Sequence, residues 1–200
     1  MPRSYSEKER ESIVSDLRFH AAQCLKQYGV KKTTVDELVR RARIPKGTFY
    51  LFYGSKEELL FEVLLQWHDS LQTEFLKHLE ACGHPVSADD LTDVFFDLCQ
   101  QVQETGLITI LSNGEVEALM RRLPEELVLE HLSHDDDSVE SLMVALGLPK
   151  ERIERTAKAF SAAFRGVFFM LLFRHEIGDD FDSALRLSIR GLAIQMLEED

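Results

Sequence analysis

Four residues that could recognise nucleic acid stand close together at Lys46, Gly47, Thr48 and Tyr50, directly after the break Arg43-Ile44-Pro45. The lysine supplies a positive charge for a phosphate group, and the threonine and tyrosine offer hydroxyl groups for phosphate or base contacts. The glycine allows its backbone to come close to DNA. This combination indicates binding chemistry rather than bond cleavage.

Two short helices would position these side chains. A capping signal formed by Thr34 and Glu37 opens the first, and the second begins at Lys46 and reaches Phe52. Two short helices joined by a three-residue break are typical of a helix-turn-helix, in which the second helix enters the major groove by its N-terminal residues. Thr34 and Lys56 each stand at the start of a helix, where free backbone N–H groups favour a phosphate oxygen.

The charge of the chain is very uneven along its length. Residues 1–56 carry 12 lysines and arginines against six aspartates and glutamates, whereas the remaining residues carry 11 against 29. The first segment therefore has a net charge of +6 and the remainder −18, within a total of −12. Because a strongly negative surface repels a polyanion, only the first segment can face DNA.

Helical spacing and helix caps recur throughout the chain without strand-like alternation, so the predicted fold is all-α. A capping box at Ser6 opens a first helix that stops at Gly29, and the two short helices complete a three-helix head. Another capping box opens a long helix over residues 55–81. This helix joins the head, residues 1–56, to a helical body, residues 57–200.

The body is divided by several helix breaks. A weaker capping signal begins a helix over about residues 87–105. Glycines, prolines and the polar run at residues 134–138 predict three or four shorter helices between residues 106 and 147. Two long helices, about residues 150–175 and 180–199, finish the chain.

The segment from Ile13 to Leu60 resembles the N-terminal domain of the TetR family of bacterial repressors. The residues that carry this resemblance are Gly29, Thr34, Val35, Leu38, Ala42, Lys46, Gly47, Thr48, Phe49, Tyr50, Tyr53 and the run Ser55 to Leu60. The resemblance implies DNA-contacting positions at Thr34, Lys46, Gly47, Thr48, Tyr50, Leu51, Phe52 and Lys56. Phe49 and Tyr53 are expected to face inward.

Several residues depart from the family pattern around the turn. Arg43 stands where the family has a glycine, so either this position does not need positive φ or the chain is strained there. Pro45 replaces a serine cap but is acceptable at a helix start, where its missing N–H would be unpaired. Leu51 and Phe52 replace polar or aromatic donors, which favours van der Waals contact with thymine methyl groups.

The last two long helices each have two apolar faces, which indicates two packing partners. The inner faces are assigned to Ile153, Ala157, Phe160, Phe164, Phe168 and Leu171 in the first helix and to Phe181, Leu185, Ser188 and Leu192 in the second. We expect the other faces to form a four-helix interface in an isologous homodimer. The residues predicted at this interface are Ala163, Gly166, Met170, Ala184, Leu187, Gly191 and Ile194. Burial inside a single subunit remains the alternative.

The resemblance also implies that residues after about 56 form an effector-binding and dimerisation domain. Aromatic and sulfur side chains that should lie near the core of the body are candidates to line an effector pocket. They are Trp67, Phe95, Phe96, Cys99, Met120, Phe160, Phe164 and Phe168. Apolar pockets and apolar cores use the same residues, so plain core burial remains the alternative for each. The expected ligand is small and largely apolar.

Neither a cofactor nor a metal ion is expected. His131, His134 and residues 135–137 have ligand-type side chains, but they lie in a polar break for which a solvated loop is predicted. The cysteines Cys24 and Cys99, together with Cys82, are too widely spaced for a zinc set or a disulfide framework and are expected to be buried thiols.

The sequence also bears on location. The N-terminus lacks the apolar segment of a secretory signal. The longest nearly uniform apolar run, residues 166–173, is far shorter than the roughly 20 residues that a membrane span needs. We expect a cytoplasmic protein without membrane contact.

Together these features predict a ligand-responsive transcriptional regulator, a repressor by resemblance, that binds a palindromic operator in double-stranded DNA as a homodimer and is released by its effector. An enzyme is not expected, because phosphate loops, Ser-His-Asp order and helical His-x-x-x-His pairs are not found. Two alternatives remain open. One is a small all-α metal-dependent hydrolase that uses the histidine-rich break. The other is a dimeric DNA-binding regulator controlled by a basic protein partner, which the −18 body would suit.

Overall fold

The computed structural model describes residues 5–104 and 114–198. Every regular element in these two ranges is a helix, which confirms the predicted all-α class. The described residues form two compact units. The first unit comprises the described residues within Met1–His68 and Thr109–Pro124. The second unit comprises the described residues within Asp69–Ile108 and Glu125–Asp200.

The described helices are named here in chain order. They are α1 (Glu7–Lys32), α2 (Val35–Ala42), α3 (Lys46–Phe49), α4 (Lys56–Ala81), α5 (Ala88–Glu104), α6 (Glu115–Met120), α7 (Glu125–Ala145), α8 (Lys150–Leu172), α9 (Arg174–Ile177) and α10 (Phe181–Leu197). The first unit holds α1 to α3, the beginning of α4, and α6. The second unit holds the end of α4, α5 and α7 to α10.

The cap of α1 confirms the first sequence signal. The backbone N–H of Glu9 donates to Ser6 Oγ, and the Ser6 N–H donates to the Glu9 carboxylate at 2.8 Å, so the capping box is complete. The backbone of α1 leaves the helical conformation at Gly29, where φ is 73°, before one more turn to Lys32. Gly29 is therefore the point at which the long regular part of the helix ends.

The predicted capping box of α2 is only half formed. Thr34 Oγ1 accepts the backbone N–H of Glu37 at 3.2 Å. The Glu37 carboxylate accepts hydrogen bonds from Arg40 and Arg41 instead of reaching back to Thr34. These arginines lower the pKa of Glu37 to about 2. Ordinary ion pairing within the helix thus replaces the second capping bond.

Helix α2 ends at Arg43, which has left-handed backbone angles of φ 54° and ψ 39°. The N–H groups of Arg43 and Ile44 both donate to the carbonyl of Val39, which closes the helix in this conformation. The turn therefore does require positive φ. An arginine bears a steric cost there that a glycine would not, because its Cβ crowds the backbone.

We expect Arg43→Gly to stabilise the first unit by about 1 kcal/mol by relieving this crowding. Arg40→Gly is the matched control, because it removes a nearby arginine from a helical position and should destabilise the unit by about 1 kcal/mol. The free energy of unfolding, measured by chemical denaturation, checks both. Equal destabilisation by the two variants would show that residue 43 is unstrained.

The second unit is built around one apolar core in which α10 packs against α5 and α8, and α7 packs against α8. Phe95 is buried in it, stacked on Phe164 with ring centroids 4.8 Å apart. Phe75 meets the same ring edge-on at 5.7 Å, and Phe168 lies 5.5 Å away. Aromatic pairs at these separations add specific packing to plain burial.

Helix α7 contradicts the prediction of a break at residues 134–138, because it runs without interruption from Glu125 to Ala145. Ser138 is accommodated by donating its hydroxyl to the carbonyl of His134 at 2.8 Å. The carboxylates of Asp135 and Asp136 lie 3.8 and 3.2 Å from the guanidinium of Arg165 in α8. A cation from a neighbouring helix therefore offsets the acidic run, and the predicted solvated loop is wrong.

The cysteine prediction is correct for two residues and wrong for the third. Cys24 and Cys99 are buried, and desolvation raises the pKa of the Cys99 thiol to about 12. Cys82 is exposed, just after the end of α4, and its thiol donates to the carbonyl of His78 at 3.4 Å. Among the described helices, none has a stretch long and apolar enough to cross a membrane.

Candidate nucleic-acid interface

Helix α3 is a single turn anchored by one buried aromatic side chain. Phe49 is completely buried, and the turn continues to Phe52 through backbone hydrogen bonds spaced three residues apart. With Phe49 inward, Tyr50 and Leu51 point outward and are 52% and 56% exposed. The surface formed by α3 and the turn after it, called the surface of α3 below, therefore carries a phenol and an apolar side chain that the fold does not bury.

Lys46 lies at the start of α3 and pairs with Asp36 of α2, with Nζ 2.8 Å from Oδ1. The hydrogen bond with this carboxylate raises the pKa of Lys46, which keeps the ammonium charged. Both side chains are largely exposed, so the pair is screened by solvent and adds little to stability. Lys46 can therefore exchange Asp36 for another anion at small cost.

Gly47 follows on the same exposed turn. A Cβ built at Gly47 would meet no atom of the described residues within 4 Å, and its φ is not positive. Among the described residues, neither packing nor backbone conformation requires a glycine here. The missing side chain leaves room for a molecule outside the chain to approach this backbone closely.

Two of the predicted contact residues face partly or wholly inward. Thr48 is only 6% exposed, and its hydroxyl lies 3.0 Å from that of Tyr5. Phe52 is half-buried, with the Tyr5 ring at 6.5 Å and the Arg10 guanidinium 5.0 Å above its ring. The structure thus brings Tyr5 and Arg10 to the edge of α3. Sequence analysis missed both, and the only signal was a tyrosine and an arginine at the start of the first helix.

Thr34 and Lys56 occupy different surroundings although both stand at the start of a helix. Thr34 is exposed at the cap of α2. The ammonium of Lys56 is turned into the first unit, where it donates to the carbonyls of Val30 at 2.8 Å and Thr33 at 2.6 Å. In this structure the Lys56 ammonium therefore forms hydrogen bonds within the protein.

A polar network holds the chain just after α3. The hydroxyl of Tyr53 donates to one carboxylate oxygen of Glu62 at 2.6 Å, and Arg18 donates to the other. Burial and the nearby Glu62 raise the pKa of Tyr53 above its ordinary value. Because Arg18 lies on α1 and Glu62 on α4, the network fixes the chain after α3 to both helices.

The residues predicted to line an effector pocket do not all belong to one unit. Trp67 and Met120 lie in the first, where the Lys26 ammonium is 5.3 Å from the centroid of the Trp67 ring system. The others, all in the apolar core of the second unit or packed against it, are Phe95, Phe96, Cys99, Phe160, Phe164 and Phe168. Of these, Phe95, Phe164 and Phe168 form the aromatic cluster described above, and Phe160 lies beside a groove on α8 and α10.

The faces predicted for dimerisation remain accessible in the single chain. Leu187 is 74% exposed, and a shallow groove of about 310 Å³ on α8 and α10 is lined in part by Ala159, Ala163 and Leu192. A Cβ at Gly166 or Gly191 would meet nothing within 4 Å in the described ranges. Partial or full exposure is shared by all seven predicted residues: Ala163, Gly166, Met170, Ala184, Leu187, Gly191 and Ile194.

The inner face of α10 differs in detail from the sequence prediction. Phe181 and Leu185 are buried as expected, but the buried row continues through Ile189, Ala193 and Met196 rather than through Ser188 and Leu192, which are half-buried. The helix is therefore rotated slightly from the predicted orientation. This rotation leaves Leu187 and Gly191 fully on the outer side.

Comparison with known proteins places these features in a family context. Residues 20–63 match the family model described as bacterial regulatory proteins, tetR family. A curated relative, the HTH-type transcriptional regulator HbdR of Aromatoleum sp. (strain CIB), is 26% identical over 113 residues, which is 56% of this chain and 47% of HbdR. The match therefore spans less than half the length of that relative.

Solved structures with the same fold match nearly the whole chain. A TetR transcriptional regulator from Rhodococcus sp. RHA1 aligns with a TM-score of 0.63 at 17% identity, covering 92% of this chain and 97% of that one. Thermus thermophilus FadR, a TetR family repressor whose structure was solved in complex with lauroyl-CoA, aligns with a TM-score of 0.55 at 20% identity over 96% of each chain. At these identities the likeness concerns the fold alone.

Proposed function

Because this chain belongs, by its N-terminal domain, to the TetR family of bacterial regulatory proteins, we propose that it regulates transcription as a homodimer on a palindromic operator. The observation that carries the proposal is the surface of α3. Lys46, Gly47, Tyr50 and Leu51 are all exposed there. The glycine has no structural reason within the described chain, and the open space around it supports close approach by DNA.

The proposed DNA surface extends beyond α3. Thr34 is exposed at the cap of α2, where backbone N–H groups suit a phosphate oxygen. Phe52 offers the exposed edge of its ring for apolar contact. The Arg10 guanidinium, which lies over this ring, adds a positive charge beside it. Leu51 offers apolar contact to a thymine methyl group. Thr48 is buried under this surface and holds Tyr5 beside it. The proposed protein works in the cytoplasm with bacterial DNA.

Dimerisation is supported by the outer faces of α8 and α10. Small residues at Gly166 and Gly191 leave room for close helix approach, and the exposed Leu187 would be buried by a second copy. A two-fold symmetric dimer presents two α3 helices to successive major grooves, about 34 to 36 Å apart. This spacing implies a palindromic operator.

The test is selection of DNA duplexes from a random pool, followed by footprinting of the region upstream of the chain's own gene. We expect a palindrome with half-sites about one helical turn apart. Lys46→Ala and Tyr50→Ala should abolish protection. Protection that survives both substitutions, or a selection without any enriched sequence, would refute the proposed DNA surface.

Gly47→Ala separates DNA binding from folding. Because a Cβ at residue 47 meets nothing within the described chain, the variant should fold with unchanged or slightly raised stability, as alanine favours helix. The added methyl group should obstruct the DNA backbone and lower operator affinity by about tenfold, the cost of one lost charged hydrogen bond. Gel-shift titration together with thermal unfolding checks this result. Unaltered affinity would show that DNA does not approach residue 47 closely.

We further propose that a small, largely apolar effector binds the second unit and releases the protein from DNA. The support is the aromatic cluster around Phe95, Phe164 and Phe168 and the likeness of fold to Thermus thermophilus FadR, which was solved in complex with lauroyl-CoA. The first probe is lauroyl-CoA, whose acyl chain supplies the apolar part although its coenzyme A part is large and charged, and it is tested against the selected duplex. Thermodynamic linkage requires the two effects to be equal: DNA must lower the affinity for lauroyl-CoA by the same factor by which lauroyl-CoA lowers the affinity for DNA. If lauroyl-CoA shifts neither the melting temperature nor the DNA affinity, lauroyl-CoA is excluded as the effector.

A further inference from the structure

The backbone from the last turn of α1 to the cap of α2 is held by side chains from three separate places. This segment, residues 29–34, is called the α1–α2 junction below. The hydroxyl of Thr33 donates to the carbonyl of Gly29 at 2.7 Å. Lys56, the first residue of α4, donates its ammonium to the carbonyls of Val30 and Thr33. Glu115, the first residue of α6, accepts the N–H of Val30 at 2.5 Å.

The Glu115 carboxylate is seated directly against this backbone. A Cβ at Gly29 would collide with Glu115 Oε2, so the carboxylate occupies the space that a side chain at residue 29 would need. The positive φ of 73° at Gly29 also favours glycine. The positive φ is the stronger reason for a glycine at residue 29, because the Glu115 carboxylate ends a flexible side chain and a Cβ would only have to displace it. Although far from the head along the chain, α6 belongs to the same compact unit.

We propose that Lys56 and Glu115 are positioning residues for DNA binding, which hold the α1–α2 junction so that Thr34 and α2 are presented to the DNA backbone. This inference rests on the DNA-binding function proposed above. It assigns Lys56 a role different from the phosphate contact that the family resemblance implies. It also adds Glu115, a residue outside the matched segment 20–63.

The contrast between the two lysines of this region supports the assignment. Lys46 pairs with a single exposed carboxylate that it can leave easily. Lys56 satisfies two backbone carbonyls, one of them on the completely buried Thr33, and moving its ammonium to a phosphate would leave both without this donor. Because Lys56 begins α4, a displacement of the first turn of α4 also moves the α1–α2 junction and Thr34.

The salt dependence of DNA binding distinguishes the two roles. A lysine that contacts phosphate contributes to the slope of log affinity against log salt concentration, by about 0.9 per contact. With two subunits, Lys46→Gln should reduce the slope by about 1.8. Lys56→Gln should lower the affinity by about tenfold per subunit, on the scale of a lost charged hydrogen bond, and leave the slope unchanged. The probe is the duplex selected by the unmodified full-length protein.

Glu115 provides the second arm of the test. Glu115→Ala should lower the affinity for the same duplex and speed amide hydrogen exchange at Val30, whereas Glu115→Gln retains an acceptor oxygen and should restore both. Lys46→Gln serves as the control that leaves exchange at the junction unaltered. If Lys56→Gln does not fold, the comparison of Glu115→Ala with Glu115→Gln tests whether the α1–α2 junction must be held for DNA binding.

The outcomes separate the two proposals. If the unmodified protein selects no duplex, the proposed function fails. If it selects one and Lys56→Gln reduces the salt slope as much as Lys46→Gln, Lys56 contacts phosphate and the positioning role is overturned. The role of Glu115 is overturned if Glu115→Ala binds the duplex like the unmodified protein, or if Glu115→Gln fails to restore affinity and exchange.

Discussion

Replacing Leu187 with aspartate should convert the proposed homodimer into a monomer. Leu187 is 74% exposed in the single chain, at the centre of the outer face of α10. A central interface residue contributes about 2 kcal/mol or more, and two-fold symmetry places the substitution on the interface twice. We therefore expect the dimer dissociation constant to rise by at least about 10²-fold. Light scattering across a concentration series measures the change.

Leu129→Asp is the matched control for this variant. Leu129 lies on α7, outside the proposed interface, and is 56% exposed. The same substitution there should leave the dimer intact. A second consequence follows for DNA, because a monomer reaches only one half-site and should bind the palindrome far more weakly. Equal dissociation in both variants, or in neither, would show that the outer face of α10 is not the dimer interface.

Reversing the charge of Lys46 should produce the largest loss of DNA affinity among single substitutions on α3. Lys46→Glu removes one phosphate contact per subunit and places a carboxylate against the DNA backbone in each half-site. We expect an affinity loss on the order of 10²-fold, with a lower salt slope, and similar loss on unrelated sequences. Gel-shift titration at several salt concentrations measures both quantities.

Lys150→Glu is the appropriate control, because Lys150 is also an exposed lysine paired with one acidic residue, Glu154 at 3.4 Å. It lies at the start of α8 in the second unit. The whole-chain charge changes equally in the two variants, so a general electrostatic effect would weaken both. Loss confined to Lys46→Glu would place the DNA at α3, and equal losses would argue against the proposed surface.

Much of the fold follows from local signals, because helix ends are decided by neighbouring residues. The capping box at Ser6 forms completely, and at Ser87 both reciprocal bonds with Asp90 also form. At Ser55 the hydroxyl accepts the Glu58 N–H, but the Glu58 carboxylate accepts the N–H of Gly54 instead of that of Ser55. Such bonds depend only on residue type and spacing, so a sequence predicts them well. The predicted end at Gly29 coincides with a glycine at positive φ for the same reason.

Errors arose where distant residues override a local signal. The acidic run in α7 looks like a break, yet Arg165 of another helix neutralises part of it. Cys82 looks like a core thiol, but its helix has ended one residue earlier. The row of buried residues on α10 passes through Ile189 rather than Ser188, because packing against α5 and α8 sets the rotation of the helix.

The binding surface shows the same division. By itself, the sequence determined that α3 begins at Lys46, that Phe49 anchors it and that the only basic segment of the chain carries it, because these depend on spacing and composition. Only the tertiary structure decided that Thr48 turns toward Tyr5, that Lys56 serves two backbone carbonyls, and that Glu115 reaches the α1–α2 junction. Hydrogen bonds between residues far apart in the chain depend on packing, and no local pattern in the sequence specifies them.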